Sequence, residues 1–346
     1  MTETIRAIAL FSGGLDSTLA VRVVRDQGIH VHALRFQTGF CLSDDRGRKH
    51  ANPGEIYRTD AAAGGERLGV PVEVIDIYEE YWDILTSPPH GYGSMMNPCI
   101  DCRIHMLRVA KEKMAERDAR FVFTGEVLGQ RPMTQQRRTL RLIEKESGLD
   151  GLLLRPLSAK LLEPTLPEKE GWIDREKLFD FSGRGRKGQM RLAGELGIEE
   201  YPAPAGGCCS LLDPVFAARL TDLLERLGPD ERLAREEVHL LKVGRHFRLS
   251  PSAKLIVARD EGECRVVHFH GRLGWRLEAV DVRGPVALVQ GEPSETDLLT
   301  AAGITASYGD GKRAPAVRVR IERGGVSREV EAAPLSREIS ASLRIE

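Results

Sequence analysis

The sequence predicts an α/β fold, a doubly wound parallel sheet, followed by a smaller C-terminal domain that is α+β or mainly β. Three observations lead to this prediction. Short apolar runs alternate with stretches of helical periodicity through the first half, as expected for a parallel sheet covered by helices. A glycine turn stands between the first apolar run and the first helical stretch. From about residue 240 onward, short β-like runs are separated by Gly, Pro and Asp instead.

Composition limits the class of protein. The chain has 346 residues, of which 41% are hydrophobic and 29% charged, enough to fill two or three folded cores. No apolar run approaches the roughly 18 residues that a membrane helix needs, and the N-terminus lacks the features of a secretory signal. The net charge of -1 excludes a uniformly basic nucleic-acid binder. Six cysteines without an export signal indicate a reducing cytoplasm rather than a disulfide scaffold.

The elements of the first half follow in a regular order. Ile5 to Phe11 is a nearly continuous apolar run, as expected for a strand buried on both faces. After the glycine turn, residues 17–27 carry apolar positions at helical spacing and stop at Gly28, a favourable helix C-terminus. Further strands are predicted at 31–36, 70–77 and 120–124, and further helices at 55–68 and 100–117.

The pattern changes at residues 199–214, where three prolines and two glycines indicate a structured loop or linker. A helical stretch is predicted at roughly 215–240. The β-like runs that follow are KLIVA, RVVHFH, PVALVQ and AVRVRIE. The chain is therefore divided into a first domain at 1–198, a cysteine-bearing loop and helical linker at 199–237, and a third region at 238–346.

The turn between the first strand and the first helix has the composition of a phosphate-binding loop. Glycines let backbone N–H groups face an anion, and the N-terminus of the following helix adds partial positive charge. Serine hydroxyls add further donors, whereas a carboxylate cannot bind phosphate and instead suits a bridging Mg²⁺ ion. The residues concerned are Ser12, Gly13, Gly14, Asp16 and Ser17. An ordinary Gly-Gly turn before a capped helix is the alternative.

The motif SGGLDS resembles the pyrophosphate loop (PP-loop) of the adenine-nucleotide alpha-hydrolase superfamily, the ATP pyrophosphatases, which have a Rossmann-like fold. The absence of a lysine distinguishes it from a Walker A loop. The resemblance implies ATP as a cofactor, adenylation of a carbonyl oxygen and release of pyrophosphate. It also implies that the strand after the first helix contacts adenine through its backbone, here at Leu34, Arg35 and Phe36.

The cysteines are clustered rather than scattered. Cys99 and Cys102 form a Cys-x-x-Cys pair at the start of a predicted helix, a spacing that suits half a zinc site, a redox dithiol or part of an iron–sulfur site. Cys208 and Cys209 follow two glycines more than a hundred residues later. The remaining cysteines, Cys41 and Cys264, are expected to be structural.

SGGLDS, PCIDC, the Thr124-Gly125-Glu126 segment and a late cysteine together resemble the tRNA-thiolating branch of the superfamily. In cluster-dependent members, three cysteines hold a [4Fe–4S] cluster whose fourth iron is open for sulfide. The resemblance assigns these ligands, and catalytic roles, to Cys99, Cys102 and Cys208, with Asp16 as the catalytic magnesium ligand. A cluster-free persulfide pair and a structural Zn²⁺ ion are the alternatives, and Cys209 could replace Cys208.

Two residues beyond the phosphate loop are also expected at the nucleotide. Gly125 and Arg131 lie after a predicted strand, at the edge of the sheet where ligands collect in doubly wound folds. Arg131 could neutralise phosphate charge. A solvated loop arginine is the alternative.

Two basic segments without acidic residues are expected to bind RNA, although a solvated face is the simpler explanation of any charged run. The first, 181–191, is interleaved with glycine, as expected of a mobile loop. The second, 238–259, places a histidine and a phenylalanine between cations. It resembles the RNA-binding module of ribosome-quality-control (NFACT-type) proteins. The RNA-binding candidates are Arg184, Arg186, Lys187, Lys242, Arg245, His246, Phe247 and Arg248.

The resemblance implies a cytoplasmic, ATP-dependent tRNA sulfurtransferase that makes 4-thiouridine at tRNA position 8. Making 2-thiouridine at the wobble uridine is the first alternative. An ATP pyrophosphatase acting on a small metabolite, and an RNA-binding factor with a decayed nucleotide domain, are the others. The expected partners are tRNA and a sulfur donor, either free sulfide or a cysteine desulfurase relay, and no membrane. Whether the chain forms a homodimer is left open.

Overall fold

The computed structural model describes residues 4–42, 60–202, 208–228 and 231–346. By their contacts, the residues form two compact units. Of the described residues, unit 1 contains 4–42, 60–202, 208 and 209, and unit 2 contains 210–228 and 231–346. The predicted boundaries at 198 and 237 stay a prediction. In the described part of the chain, no helix is both long and apolar enough to cross a membrane.

Unit 1 is built on a parallel sheet of five strands in the order β3-β2-β1-β4-β5. The middle strands are apolar on both faces because helices cover both sides of the sheet. The strands are β1 (Arg6–Leu10), β2 (His30–Gln37), β3 (Val72–Asp76), β4 (Phe121–Thr124) and β5 (Leu153–Leu154).

The three helices that the sequence predicts in the first half are present in unit 1, together with other helices that it does not predict. They are α1 (Leu15–Arg25), α2 (Asp60–Leu68), α3 (Tyr78–Thr86), α4 (Cys99–Glu116), α5 (Arg137–Glu146), α6 (Leu166–Lys169) and α7 (Lys187–Glu195). Residues 55–59 of the predicted helix 55–68 lie outside the described residues. The predicted α/β fold with a parallel sheet is confirmed.

The strand order fixes the position of the site. From β1 the chain runs to β2 on one side of the sheet, whereas β4 pairs with β1 on the other side. Between β1 and β4 the sheet therefore has a topological switch point, the place where doubly wound folds bind ligands at the carboxyl ends of their strands. The loop after β1 contains SGGLDS, and the loop after β4 contains Gly125.

Unit 2 contains an antiparallel sheet of six strands in the order β11-β10-β8-β9-β7-β6. Its strands are β6 (Arg245–Ser250), β7 (Ala253–Val257), β8 (Trp275–Ala279), β9 (Ala287–Gly291), β10 (Val317–Arg323) and β11 (Val326–Ala332). Its helices are α8 (Pro214–Leu224), α9 (Arg235–Leu241), α10 (Glu261–Phe269), α11 (Glu295–Ser307) and α12 (Arg337–Ser342). The predicted separate C-terminal domain is confirmed.

Two predictions about elements in this region are wrong. The helical stretch expected at 215–240 is two helices, α8 and α9, separated around Gly228. The run RVVHFH, expected as β-like, lies in α10. The Asp260 side chain accepts a hydrogen bond from the Glu263 backbone N–H, and this N-cap commits the following residues to a helix.

Candidate active site

Two serine hydroxyls form hydrogen bonds within the loop after β1 and the first turn of α1. The Gly14 N–H donates to Ser12 Oγ at 3.3 Å, and Ser17 Oγ donates to the Gly14 carbonyl at 3.0 Å. The two serine hydroxyls are 3.2 Å apart. Gly13 has a φ of 76°, in the left-handed region that favours glycine. The loop therefore holds a fixed curve at the N-terminus of α1, where an anion is favoured.

Asp16, in the first turn of α1, has one satisfied and one free carboxylate oxygen. Gln130 Nε2 donates to Oδ2 at 2.8 Å. Oδ1 is buried and has no hydrogen-bond partner among the described residues. A buried, unpartnered carboxylate oxygen beside a phosphate-binding loop is the kind of ligand that Mg²⁺ takes from a protein. The residues present therefore fit the expected magnesium ion.

The loop after β4 touches the start of α1. A Cβ added at Gly125 would lie 2.6 Å from the backbone nitrogen of Ser17 and 2.6 Å from the carbonyl of Asp16, so a side chain is excluded there. Leu34, Arg35 and Phe36 are buried in β2. The Leu34 carbonyl already accepts a hydrogen bond from the Phe11 N–H at 2.9 Å. Adenine contacts at these three residues stay a prediction.

The cysteine thiols of unit 1 come together from three parts of the chain. Cys99 is the first residue of α4, and Cys102 lies one turn later. Cys41 pairs with Cys209 in an antiparallel β-bridge, and the Leu42 N–H donates to the Cys208 carbonyl at 3.1 Å. Cys41, expected to be structural, therefore lies beside the late cysteine pair. Gly206 and Gly207, which precede that pair, lie outside the described residues.

The thiols differ in acidity because they interact with one another. Hydrogen bonds from Cys209 and Cys99 lower the pKa of Cys208 well below its usual value, and the positive charges of Arg131 and Arg103 lower it further. The same hydrogen bonds raise the pKa values of Cys99 and Cys209. Cys208 is therefore the most acidic thiol of the group, and Cys99 and Cys209 hydrogen-bond to it.

Cys102 has a hydrogen-bond partner outside the group of cysteines. Burial, followed by the nearby Cys208 charge, raises its pKa to about 12. Its thiol and the buried hydroxyl of Tyr81 are hydrogen-bonded to each other. The pattern CxxC showed the pair but gave no sign of Tyr81, which comes from α3.

Thiolate sulfur is the ligand that iron–sulfur clusters and zinc share. In the described ranges, no group of three or more His, Cys, Asp or Glu side chains is arranged to hold a metal ion. A structural zinc ion needs ligands that converge on one point, whereas a four-iron cluster takes each thiolate on a different iron. Three thiols are ligands that both a cluster and a zinc ion accept, so the chemistry of Cys99, Cys102 and Cys208 fits either group.

A row of charged side chains, buried at Glu126 and Arg155, links the cysteine helix to the strand ends. Arg103 Nε lies 3.3 Å from Glu126 Oε1, and Arg155 Nε donates to Glu126 Oε2 at 3.3 Å. Arg155 also donates to Glu144 at 3.0 Å. Burial alone would raise the pKa of Glu126, but the two arginines outweigh it and the pKa is lowered. Sequence reasoning missed this row, although Arg103 directly follows the Cys-x-x-Cys pair.

The two predicted RNA-binding segments differ in exposure. In unit 1, Arg184 and Lys187 are exposed and Arg186 is partly exposed. The expectation of a mobile loop is wrong for the second half of 181–191, because α7 begins at Lys187.

In unit 2, His246 and Phe247 are fully buried, which corrects their assignment as stacking surfaces. His246 bonds to the backbone carbonyl of Val243 at 2.9 Å, and Phe247 lies in the hydrophobic core. Arg248 Nε donates to Asp222 at 3.1 Å. Lys242 and Arg245 remain partly exposed. The Arg245 guanidinium lies 4.6 Å from the ring centre of Tyr308, an aromatic residue that sequence reasoning missed.

Comparison with known proteins matches two separate stretches of the chain. Residues 3–160 match the family model described as Thiamine biosynthesis protein (ThiI), and residues 244–342 match the model described as NFACT protein RNA binding domain.

The chain is also similar to curated proteins over part of its length. A tRNA-specific 2-thiouridylase MnmA from Amoebophilus asiaticus is 26% identical over 125 residues, which are 35% of this chain and 33% of that protein. The protein of the same name from Rhizobium etli (strain CIAT 652) is 25% identical over 256 residues, 69% of this chain and 56% of its own length. This chain spans about a third of the length of the first curated relatives.

Among solved structures, one described as a 4-thiouridine synthetase–RNA complex with bound ATP aligns with a TM-score of 0.36 and 20% identity. The alignment covers 56% of this chain and 41% of that chain.

Proposed function

We propose that the chain is an ATP-dependent tRNA sulfurtransferase of the tRNA-thiolating PP-loop family, with a C-terminal NFACT-type RNA-binding domain. The two family models that match residues 3–160 and 244–342 support this proposal. One observation carries this proposal. Two consecutive residues of a single turn serve the two halves of the reaction: Gln130 bonds to Asp16 at the phosphate loop, and the charge of Arg131 acts on the Cys208 thiolate. Nucleotide and sulfur chemistry therefore share one turn of unit 1.

In the first step, ATP lies on the loop from Ser12 to Ser17, with Mg²⁺ on Asp16. The carbonyl oxygen of a tRNA uridine attacks the α-phosphorus, and pyrophosphate leaves with the electron pair of the broken P–O bond. The magnesium ion supplies charge neutralisation for the phosphates when it is bound. Adenylation converts a poor leaving oxygen into a good one, and the AMP ester is the substrate of the second step. Arg131 adds positive charge on the same side.

In the second step, sulfur replaces the activated oxygen and AMP leaves. For the sulfur site we propose that Cys99, Cys102 and Cys208 hold a [4Fe–4S] cluster, which supplies an open iron for sulfide when it is bound. The partly exposed Arg103 interacts electrostatically with these three cysteines and would balance the negative charge that three thiolates bring. Cys209, buried beside Cys208, is the alternative third ligand.

The low pKa of Cys208 supports a second sulfur route without a cluster. A persulfide on Cys208 attacks the adenylated carbon and AMP leaves. The Cys99 thiolate then attacks Cys208 Sγ, which frees thiouridine and forms a Cys99–Cys208 disulfide. A thiol reductant supplies the two electrons that restore both cysteines. The sulfur donor for the cluster route is free sulfide or a cysteine desulfurase relay. The persulfide route takes its sulfur from the persulfide of a cysteine desulfurase relay, because forming a persulfide from sulfide would need a two-electron oxidant.

Iron content separates the two routes. Protein purified without oxygen is expected to be brown, with about four iron atoms per chain, and to lose the colour in Cys99→Ser, Cys102→Ser and Cys208→Ser. Cys264→Ser is the matched control, because Cys264 lies in unit 2 and accepts a hydrogen bond from the Val286 backbone N–H. Colourless wild-type protein that still thiolates tRNA would assign the persulfide route.

For the product we propose 4-thiouridine at tRNA position 8, since the chain retains the Cys-x-x-Cys pair. The alternative, 2-thiouridine at the wobble position, is supported by the names of the curated relatives.

Pyrophosphate release tests the activity itself. With ATP, Mg²⁺ and bulk tRNA under anaerobic conditions, wild type is expected to release pyrophosphate only when tRNA is present. Asp16→Ala is expected to abolish the release while leaving any cluster colour intact. Release without tRNA would instead support a small-metabolite substrate, and the absence of release under all conditions would contradict the proposal.

A further inference from the structure

Three polar side chains lead from α7 to the phosphate loop. Gln189, only 1% exposed, donates from Nε2 to Gln130 Oε1 at 3.1 Å. Gln130 donates from Nε2 to Asp16 Oδ2 at 2.8 Å. The three residues come from α7, from the turn after β4 and from the first turn of α1. Their contacts form only when the three segments are packed.

The direction of these hydrogen bonds is determined by the carboxylate. An ionised carboxylate can only accept, so the amide of Gln130 must turn its NH₂ group towards Asp16. Its carbonyl oxygen then faces away and needs a donor, which the NH₂ group of Gln189 provides. Reversing either amide would place two donors or two acceptors against each other. Each glutamine therefore fixes the orientation of the next group.

The two carboxylate oxygens of Asp16 therefore have different surroundings. Oδ2 is occupied by Gln130, and Oδ1 is buried and unpartnered among the residues that the structure describes. A buried carboxylate oxygen without a partner is costly and points to a ligand. Because Oδ2 is held, the carboxylate cannot rotate to satisfy Oδ1 elsewhere.

We propose that Gln130 and Gln189 are positioning residues that keep Asp16 Oδ1 available to the magnesium ion of the ATP complex. This inference rests on the proposed function. Groups that hold a metal ligand through a hydrogen bond contribute to metal affinity although they do not touch the metal. Gln189 lies two residues after the exposed Lys187. The packing of α7 therefore determines the positions of both the exposed lysine and the glutamine that is hydrogen-bonded through Gln130 to Asp16.

The experiment measures the binding of a non-hydrolysable ATP analogue by titration calorimetry, with and without Mg²⁺. The quantity compared is the gain in affinity that Mg²⁺ brings to each protein. Gln130→Met removes the donor to Asp16 at similar volume and is expected to reduce this gain by about tenfold, with affinity in the absence of Mg²⁺ unchanged. Gln189→Met leaves Gln130 in place and is expected to give a smaller loss in the same direction.

Gln136→Met is the matched control, because Gln136 is exposed and makes no side-chain cap at the start of α5. It is expected to keep the full gain. Electron paramagnetic resonance of Mn²⁺ with the analogue gives a second readout, in which both positioning variants leave more manganese free than wild type.

The outcomes separate the inference from the proposed function. A wild-type gain that both Gln130→Met and Gln189→Met retain in full overturns the positioning role alone. Wild type that binds the analogue without any gain from Mg²⁺ contradicts the role of Asp16 in the proposed function, and the positioning role with it. If Gln130→Met fails to fold, Gln189→Met decides the question by itself.

Discussion

The two basic segments have similar sequences, but their cationic side chains differ in exposure. Residues 181–191 and 238–259 both contain cations and no acidic residues. In the first segment the cations stay at the surface of unit 1. In the second, Lys254 is 2% exposed and Arg248 is paired with Asp222. A run of basic residues in the sequence therefore does not show whether their side chains are exposed.

The physical difference lies in the element that each segment forms. The first segment contains a turn and the start of a helix, where glycines leave long side chains free to face water. The second contains the paired strands β6 and β7, and β7 is buried along its whole length. Asp222 of α8, outside the segment, supplies the carboxylate that pairs with the buried Lys254 and the partly exposed Arg248. Four changes test this contrast, in order of expected effect.

Phe247→Ala is expected to have the largest effect. Phe247 is fully buried in the core of unit 2, so its truncation is expected to cost about 3–5 kcal/mol of unfolding free energy. Hydrogen exchange at the amides of β7, followed by mass spectrometry, measures this loss locally. Unchanged exchange combined with weaker tRNA binding would restore the stacking interpretation that the structure replaces.

Asp222→Asn is expected to have the next largest effect. It removes the charge that faces both Arg248 and the buried Lys254. Breaking such a pair is expected to cost about 3 kcal/mol, at the lower end for buried pairs because Arg248 is partly exposed. The same exchange measurement applies, and Asp281→Asn is the control, since Asp281 pairs with Arg318 at the surface.

Lys254→Met is expected to change how the stability of unit 2 depends on pH. Burial lowers the pKa of Lys254 to about 7, despite the nearby Asp222. Between that value and the usual value near 10.5, the unfolded chain binds a proton that the folded chain does not, so stability rises with pH in this range. Below pH 7 Lys254 is protonated in both the folded and the unfolded chain, so the full cost of burying its charge lowers the stability of the folded chain.

The test for Lys254 compares the unfolding free energies of wild type and Lys254→Met at each pH. Wild type is expected to gain unfolding free energy from pH 7 to pH 10 relative to Lys254→Met, in urea titrations at each pH. Parallel pH profiles for the two proteins would mean that Lys254 titrates at its usual value.

The double variant Arg184→Glu, Lys187→Glu is expected to have the smallest effect on stability, within about 0.5 kcal/mol. Both side chains are exposed, so their effect should appear in tRNA binding instead. If each contacts one phosphate, the slope of log affinity against log salt falls by between about 1 and 2. Lys111→Glu, an exposed cation of α4, should leave the slope unchanged. An unaltered slope in the double variant would remove segment 181–191 from the RNA surface.

The parts of the fold that the sequence predicted correctly are continuous in the chain. The loop from Ser12 to Ser17 lies between an apolar strand and a helix, and the alternation of later elements predicts the parallel sheet. Cys99 and Cys102 were visible for the same reason, as a spaced pair at the start of a helix. In each case neighbouring residues carry the whole signal.

The parts that sequence analysis missed depend on residues far apart in the chain. The ion pairs of Glu126 with Arg103 and Arg155, and the contact of Gln130 with Gln189, join separate elements. Cys41 was set aside because nothing near it in the sequence suggests a site, yet it pairs with Cys209. His246 and Phe247 were assigned to RNA because local composition does not show which side of a strand is buried.

The proposed function requires that sulfur be transferred to tRNA. The most direct test is nucleoside mass spectrometry of tRNA after anaerobic incubation with the full chain, ATP, Mg²⁺ and sulfide, with a parallel reaction that contains cysteine and a cysteine desulfurase. We expect one thiouridine per tRNA, formed together with pyrophosphate and absent with Asp16→Ala or Cys208→Ser. Unmodified tRNA from both sulfur sources, with no pyrophosphate released, would contradict it.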